Sequence, residues 1–113
     1  MLTIKALEEL GVDTKAGLSR CMREDFYFRL LTKTINSDSL DKLEAALKAN
    51  DLDAAFRVVH DLKGVTGNLG LTPLYDPVVE MTEHLRSHDQ IDYFPTFEKM
   101  RGPWEAIKKL ANE

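Results

Sequence analysis

The stretch best equipped for chemistry runs from Asp51 to Pro73, DLDAAFRVVHDLKGVTGNLGLTP. At its centre, His60-Asp61-Leu62-Lys63-Gly64 sets an imidazole, a cation and a bare backbone position within about one helical turn. A neutral imidazole is a nitrogen nucleophile near neutral pH. Lys63 could pair with an anion placed on the ring, and Gly64 would let a partner's reactive group come close to the backbone. Interior helical glycine costs about 1 kcal/mol relative to alanine, so Gly64 and Gly67 weaken this helix unless something needs them. The same residues also fit an ordinary surface histidine, a solvated lysine and glycines that let helices pack closely. Residue physics alone leaves both readings open.

Other candidates carry less. Arg57, one turn before His60, could add positive potential toward an acidic partner or be a plain solvated arginine. Asp61 points about 100° away from His60 on a helix and is a poor orienting group. His84 and His88 are spaced i, i+4 and could clasp a metal from one face, but two ligands make a weak site, Glu83 faces elsewhere, and solvated histidines near a helix end fit better. No metal site is assigned. Cys21 is the only cysteine, so it forms no internal disulfide and reads as a small core residue. A metal-dependent enzyme built on His60, His84 and nearby carboxylates lacks a dense ligand cluster. An autonomous kinase lacks any glycine-rich nucleotide loop.

The elements that must position His60 are all helical. Asp51 is the expected N-cap and Pro73 the expected stop of a helix of about 20 residues. Its Leu52, Ala55, Val59, Leu62, Thr66 and Leu69 share a core-facing seam, with His60 at the border and Gly64 and Gly67 at i+4 and i+7. Ile4, Leu7 and Leu10, closed by Gly11, predict a short N-terminal helix. Leu18, Cys21 and Met22 open an amphipathic stretch continued by Phe26, Leu30 and Ile35 with Tyr27 and Leu31, with a break near Arg23. Phe26-Tyr27-Phe28 is denser than one stripe needs, so one ring should face solvent. Ser37-Asp38-Ser39 offers caps for a helix carrying Leu40, Leu43 and Leu47, which a short Asn50-Asp51 link folds antiparallel to the His60 helix. Leu74, Val78, Met81 and Leu85 mark the next helix, with Pro77 either delaying it by a turn or kinking its start. Tyr93, Phe97, Met100, Trp104, Ile107 and Ala111 mark the last, which Gly102-Pro103 should bend or interrupt. No strand pattern competes. The expected fold is all-α: an antiparallel up-down four-helix bundle with one or two short N-terminal helices packed on its end, residues 1–113 forming a single domain.

Length and composition agree: 113 residues, 43% hydrophobic and 30% charged, with net charge -4, describe one modest globular unit. An acidic chain is a poor nucleic-acid partner. No apolar run approaches a membrane span and no signal-peptide pattern opens the chain, so a cytoplasmic location without membrane attachment is expected. A short helix starting near Met1 fits a free-standing protein, but a domain of a larger kinase stays open as the alternative.

The run His60-x-Leu62-Lys63-Gly64 followed by Asn68-Leu69-Gly70 resembles the signature of histidine-containing phosphotransfer domains. In that family H-x-L-K-G precedes a small, polar stretch and a hydrophobic-glycine pair. Gly67 departs slightly, because the family often has alanine or serine there. The resemblance extends along the chain and implies a phosphohistidine carrier in a multistep His-Asp two-component phosphorelay, not an enzyme with its own kinase or ATP-binding activity. It implies His60 as phosphoryl acceptor and donor, Lys63 steadying phosphate charge, and Gly64 and Gly67 clearing access. The implied partners are receiver domains of a hybrid sensor histidine kinase and of a response regulator. Magnesium is expected on the receiver and no cofactor on this chain, which is expected to be a monomer. The competing expectation is a helical interaction module that binds receivers or other signalling partners without being phosphorylated; intact His60, Lys63 and Gly64 argue against it.

Overall fold

The computed structural model describes residues 1–113. Seven helices follow in order: α1 (Ile4–Glu9), α2 (Thr14–Cys21), α3 (Glu24–Ile35), α4 (Ser39–Lys48), α5 (Leu52–Asn68), α6 (Thr72–Arg86) and α7 (Phe94–Ala111). The last four reproduce the expected apolar stripes. Leu40, Leu43 and Leu47 of α4, Ala55, Val59, Leu62 and Thr66 of α5, Leu74, Val78, Met81 and Leu85 of α6, and Phe97, Met100, Trp104 and Ile107 of α7 are all buried. Thr66 and Thr82 enter this core because each hydroxyl donates to the carbonyl one turn back, on Leu62 and Val78, at 2.7 Å.

α3 and α4 run in the same direction, separated by Asn36-Ser37-Asp38, and together form one strut antiparallel to α5. At its upper end the Tyr27 hydroxyl donates to the Leu69 carbonyl at 2.8 Å. At its lower end the Asp51 N–H reaches the Ala46 carbonyl at 2.9 Å. α5 and α6 form a hairpin, α7 returns beside α6, and Arg101 of α7 closes the ring onto Glu44 of α4 at 2.8 Å. The four members of the bundle are therefore α3–α4, α5, α6 and α7. The two short helices α1 and α2 cover the end that carries the α5–α6 turn, where the Asp13 N–H bonds to the Gly70 carbonyl at 2.7 Å. The expected architecture, with short N-terminal helices on the bundle's end, is present.

Several local expectations change. α5 ends at Asn68 after 17 residues, because Gly70 takes φ +68 and reverses the chain. Pro73 does not stop α5. It lies in the first turn of α6, where a missing N–H costs nothing, and α6 starts at Thr72 without delay despite the buried Pro77. α7 runs uninterrupted through Gly102-Pro103. Buried Met100, Trp104 and Ile107 hold that helix across the lost backbone bond. The break near Arg23 is real: Met22 adopts φ +68 and is 85% exposed, so it leaves the core assigned to it, while Arg23 is extended. Of the three neighbouring rings, Tyr27 is buried and Phe26 is the one that faces solvent. Cys21 is half-buried at the edge of the core.

Tyr27 makes the strut's end sensitive to pH. Burial, then the negative potentials of Cys21 and Asp13, push its hydroxyl up to about 12. Its neutral form therefore contributes stability that is complete below the ordinary tyrosine value of about 10 and is lost as pH rises toward 12. Chemical denaturation at stepped alkaline pH is expected to lose stability in that window. Tyr27→Phe should flatten that loss and lower stability at neutral pH by about 1 kcal/mol through the orphaned Leu69 carbonyl.

Candidate functional site

The site is laid out by α5. Asp51 caps its start by accepting from the Ala54 N–H at 3.1 Å. With the seam facing inward, His60 emerges at the border and is exposed. It stands in an open groove of about 610 Å³ whose lining includes Lys63, Gly64, Gly67 and Asn68 of α5, Tyr75 and Arg86 of α6, and Ala16 and Arg20 of α2. The site is thus a junction of three helices.

The His60 ring lies against Phe56, one turn earlier, with centroids 5.7 Å apart and planes tilted by 36°. Arg86 also lies over Phe56, its guanidinium carbon 5.9 Å from the ring centroid. Lys63 is one-third exposed and reaches Glu83 Oε1 at 3.8 Å, the same oxygen that accepts from Arg86 Nη1 at 2.8 Å. Two cations beside the imidazole are therefore drawn to one carboxylate on α6.

The two glycines of α5 differ in kind. A Cβ built on Gly64 would meet nothing within 4 Å, so internal packing does not require glycine there. A Cβ on Gly67 would stand 3.1 Å from the Tyr75 ring, so this position is small because α6 packs against it. Gly67 lines the groove, as access requires, and its missing side chain also makes room for Tyr75. Arg57 is exposed and lies outside the main groove, in a smaller hollow with Phe56, His60 and Asp61.

His84 and His88 do not share a helical face. α6 ends at Arg86, His88 has φ +57, and His84 Nδ1 is engaged by Asp89 Oδ2 at 2.7 Å. His84 is thus a loop-fastening residue more than a solvated one. Sequence reading missed Phe56, against which the His60 ring lies, and Arg86 and Arg20, which line the same groove. Phe56 sits at i-4 and was legible from helical spacing. Arg86 required the hairpin register, and Arg20 required knowing that α2 folds back over the α5–α6 turn.

The family model for the Hpt domain matches residues 33–111. The chain belongs to the Hpt domain family. The Hpt match holds α4 to α7 entire and the last turn of α3, while α1, α2 and most of α3 precede it. Arg20 and Ala16, which wall the groove, therefore lie outside the segment that matches the Hpt model. Membership makes the chain a histidine phosphotransfer module of two-component signalling, a class that works with receiver domains; Hpt domains carry phosphoryl groups without kinase activity. No curated protein and no solved structure matched the chain. No helix is long and apolar enough to cross a membrane.

Proposed function

We propose that the chain is a phosphohistidine carrier of a multistep His-Asp relay, with His60 taking and giving the phosphoryl group. The observation that carries this reading is the exposed His60 ring beside Gly64, a helical position whose bareness nothing inside the protein requires. A lone pair on a ring nitrogen attacks the phosphorus of a receiver's aspartyl phosphate. The N–P bond forms as the P–O bond breaks, the aspartate carboxylate leaves with the electron pair, and the other ring nitrogen's proton exchanges with water. Return transfer reverses these events.

Phosphoryl transfer needs in-line positioning and compensation of oxygen charge. Lys63 supplies charge from this side, and magnesium in the receiver's acidic pocket supplies the remainder. The partners on this reading are the receiver of a hybrid sensor kinase and that of a response regulator, meeting a cytoplasmic monomer. Arg57 contributes positive potential from the neighbouring hollow that it shares with His60. The test is to mix a phosphorylated receiver with the protein in the presence of magnesium and examine the label acquired. Acid-labile, base-stable label mapping to the His60 peptide is expected. Receiver binding without label would favour the unphosphorylated interaction module.

Gly64 provides a second check with opposite signs. Its site is exposed and open, so Gly64→Ala is expected to stabilise the fold by up to about 1 kcal/mol. Gly64→Leu should keep the fold yet slow transfer on the order of 10- to 100-fold by displacing the incoming phosphoryl group. Denaturant titration and single-turnover transfer measure the two effects. A stable leucine variant with undiminished transfer would overturn the access role.

A further inference from the structure

The carboxylate of Glu83 has no part in the transfer step derived above, yet it engages two cations, Lys63 and Arg86, that line the groove with His60. Its Oε1 accepts from Arg86 at 2.8 Å and faces Lys63 Nζ at 3.8 Å. Arg86 in turn lies over Phe56, against which the His60 ring stacks. Glu83 is about half exposed and stands outside the groove that Lys63 and Arg86 line. The unphosphorylated site therefore already contains an anion on its cations.

We propose that Glu83 is a positioning residue that the phosphoryl group must displace, and that it holds phosphohistidine at high transfer potential. This rests on His60 being the acceptor. Charge counting gives the sign. Lys63, Arg86 and Glu83 sum to +1 before transfer, and a phosphoryl group of about -2 takes the cluster to about -1. Without Glu83 the two cations would sum to +2, and the phosphorylated cluster would be close to neutral. Phosphate oxygens can engage Lys63 or Arg86 only by drawing them from Glu83, which is then left beside a like charge. Glu83 thus raises the energy of the charged carrier and favours passing the group onward. Its place on α6, facing Lys63 across the hairpin, lets it act without touching the reacting atoms.

The experiment charges the natural protein and Glu83→Gln with phosphoramidate, a small donor whose P–N bond breaks to release ammonia as the His60 N–P bond forms. Phosphorus NMR reads the phosphohistidine, and added receiver and magnesium then give the equilibrium between phosphohistidine and aspartyl phosphate. Glu83→Gln is expected to shift that equilibrium toward phosphohistidine about threefold to fivefold, with the difference shrinking as salt is raised. Glu83→Asp, which keeps the charge, should fall near the natural value. The Gln effect should be smaller in a Lys63→Met background, because one of the two displaced cations is then absent. An unlabelled natural protein would overturn the carrier reading and this proposal with it. A labelled protein whose equilibrium is unmoved by Glu83→Gln, or moved equally at all salt concentrations, would overturn the role of Glu83 alone.

Discussion

His60→Gln is expected to abolish phosphoryl acceptance while leaving helix content unchanged and stability within about 1 kcal/mol of the natural protein. An amide nitrogen has no available lone pair for attack on phosphorus, so the loss should be complete within detection, not a fractional slowing. The fold should survive because His60 is exposed on α5, its ring set against Phe56 and not within the core. Glutamine keeps good helix propensity at this position. Circular dichroism and thermal melting would be measured beside the transfer assay. Label retained on the variant would move the acceptor elsewhere, and loss of helicity would give His60 a structural role.

Gly70→Ala is expected to be the most damaging single-methyl change, costing about 3 kcal/mol by denaturant titration. Two independent causes converge there. The position requires φ +68, and an added Cβ would collide with the Asp13 carbonyl oxygen, a backbone atom that cannot swing aside. For a chain of this length the midpoint should fall by roughly 10 °C or more. Gly64→Ala, the same methyl about two turns earlier, should stabilise, so comparing the two separates a glycine the backbone demands from one that internal packing does not demand. A neutral Gly70→Ala would mean that the α1–α2 segment does not hold the turn as described.

The same contrast explains what could be read from the chain before its structure. Helical periodicity located the stripes of α4 to α7 correctly because a buried face must recur every three to four residues. Asp51 was legible as a cap because its side chain serves a neighbour three residues on. Pro73 misled because proline is acceptable in a first turn as well as beyond a last one, and only the positive φ of Gly70 decides between them. Pro103 misled because burial on either side outweighs one lost hydrogen bond. Within the site, His60, Lys63 and Gly64 are local in sequence and were found together. That Tyr75 also presses on Gly67 could not be read, because it approaches from another helix. Arg86, Glu83 and Arg20 meet the site only through tertiary register, which spacing along one helix cannot report.

The groove wall built from α2 has an implication for how such a protein can change. Ala16 and Arg20 line the same groove as His60, yet they lie more than thirty residues away in sequence and are tethered to α5 and α6 through Asp13 and Gly70. Reshaping that wall leaves the ring, its lysine and its bare neighbour untouched. On the carrier reading proposed above, a partner seated in the groove would meet the α2 wall and the His60 ring as separately mutable surfaces, so a lineage could retune its correspondents while its chemistry stays still.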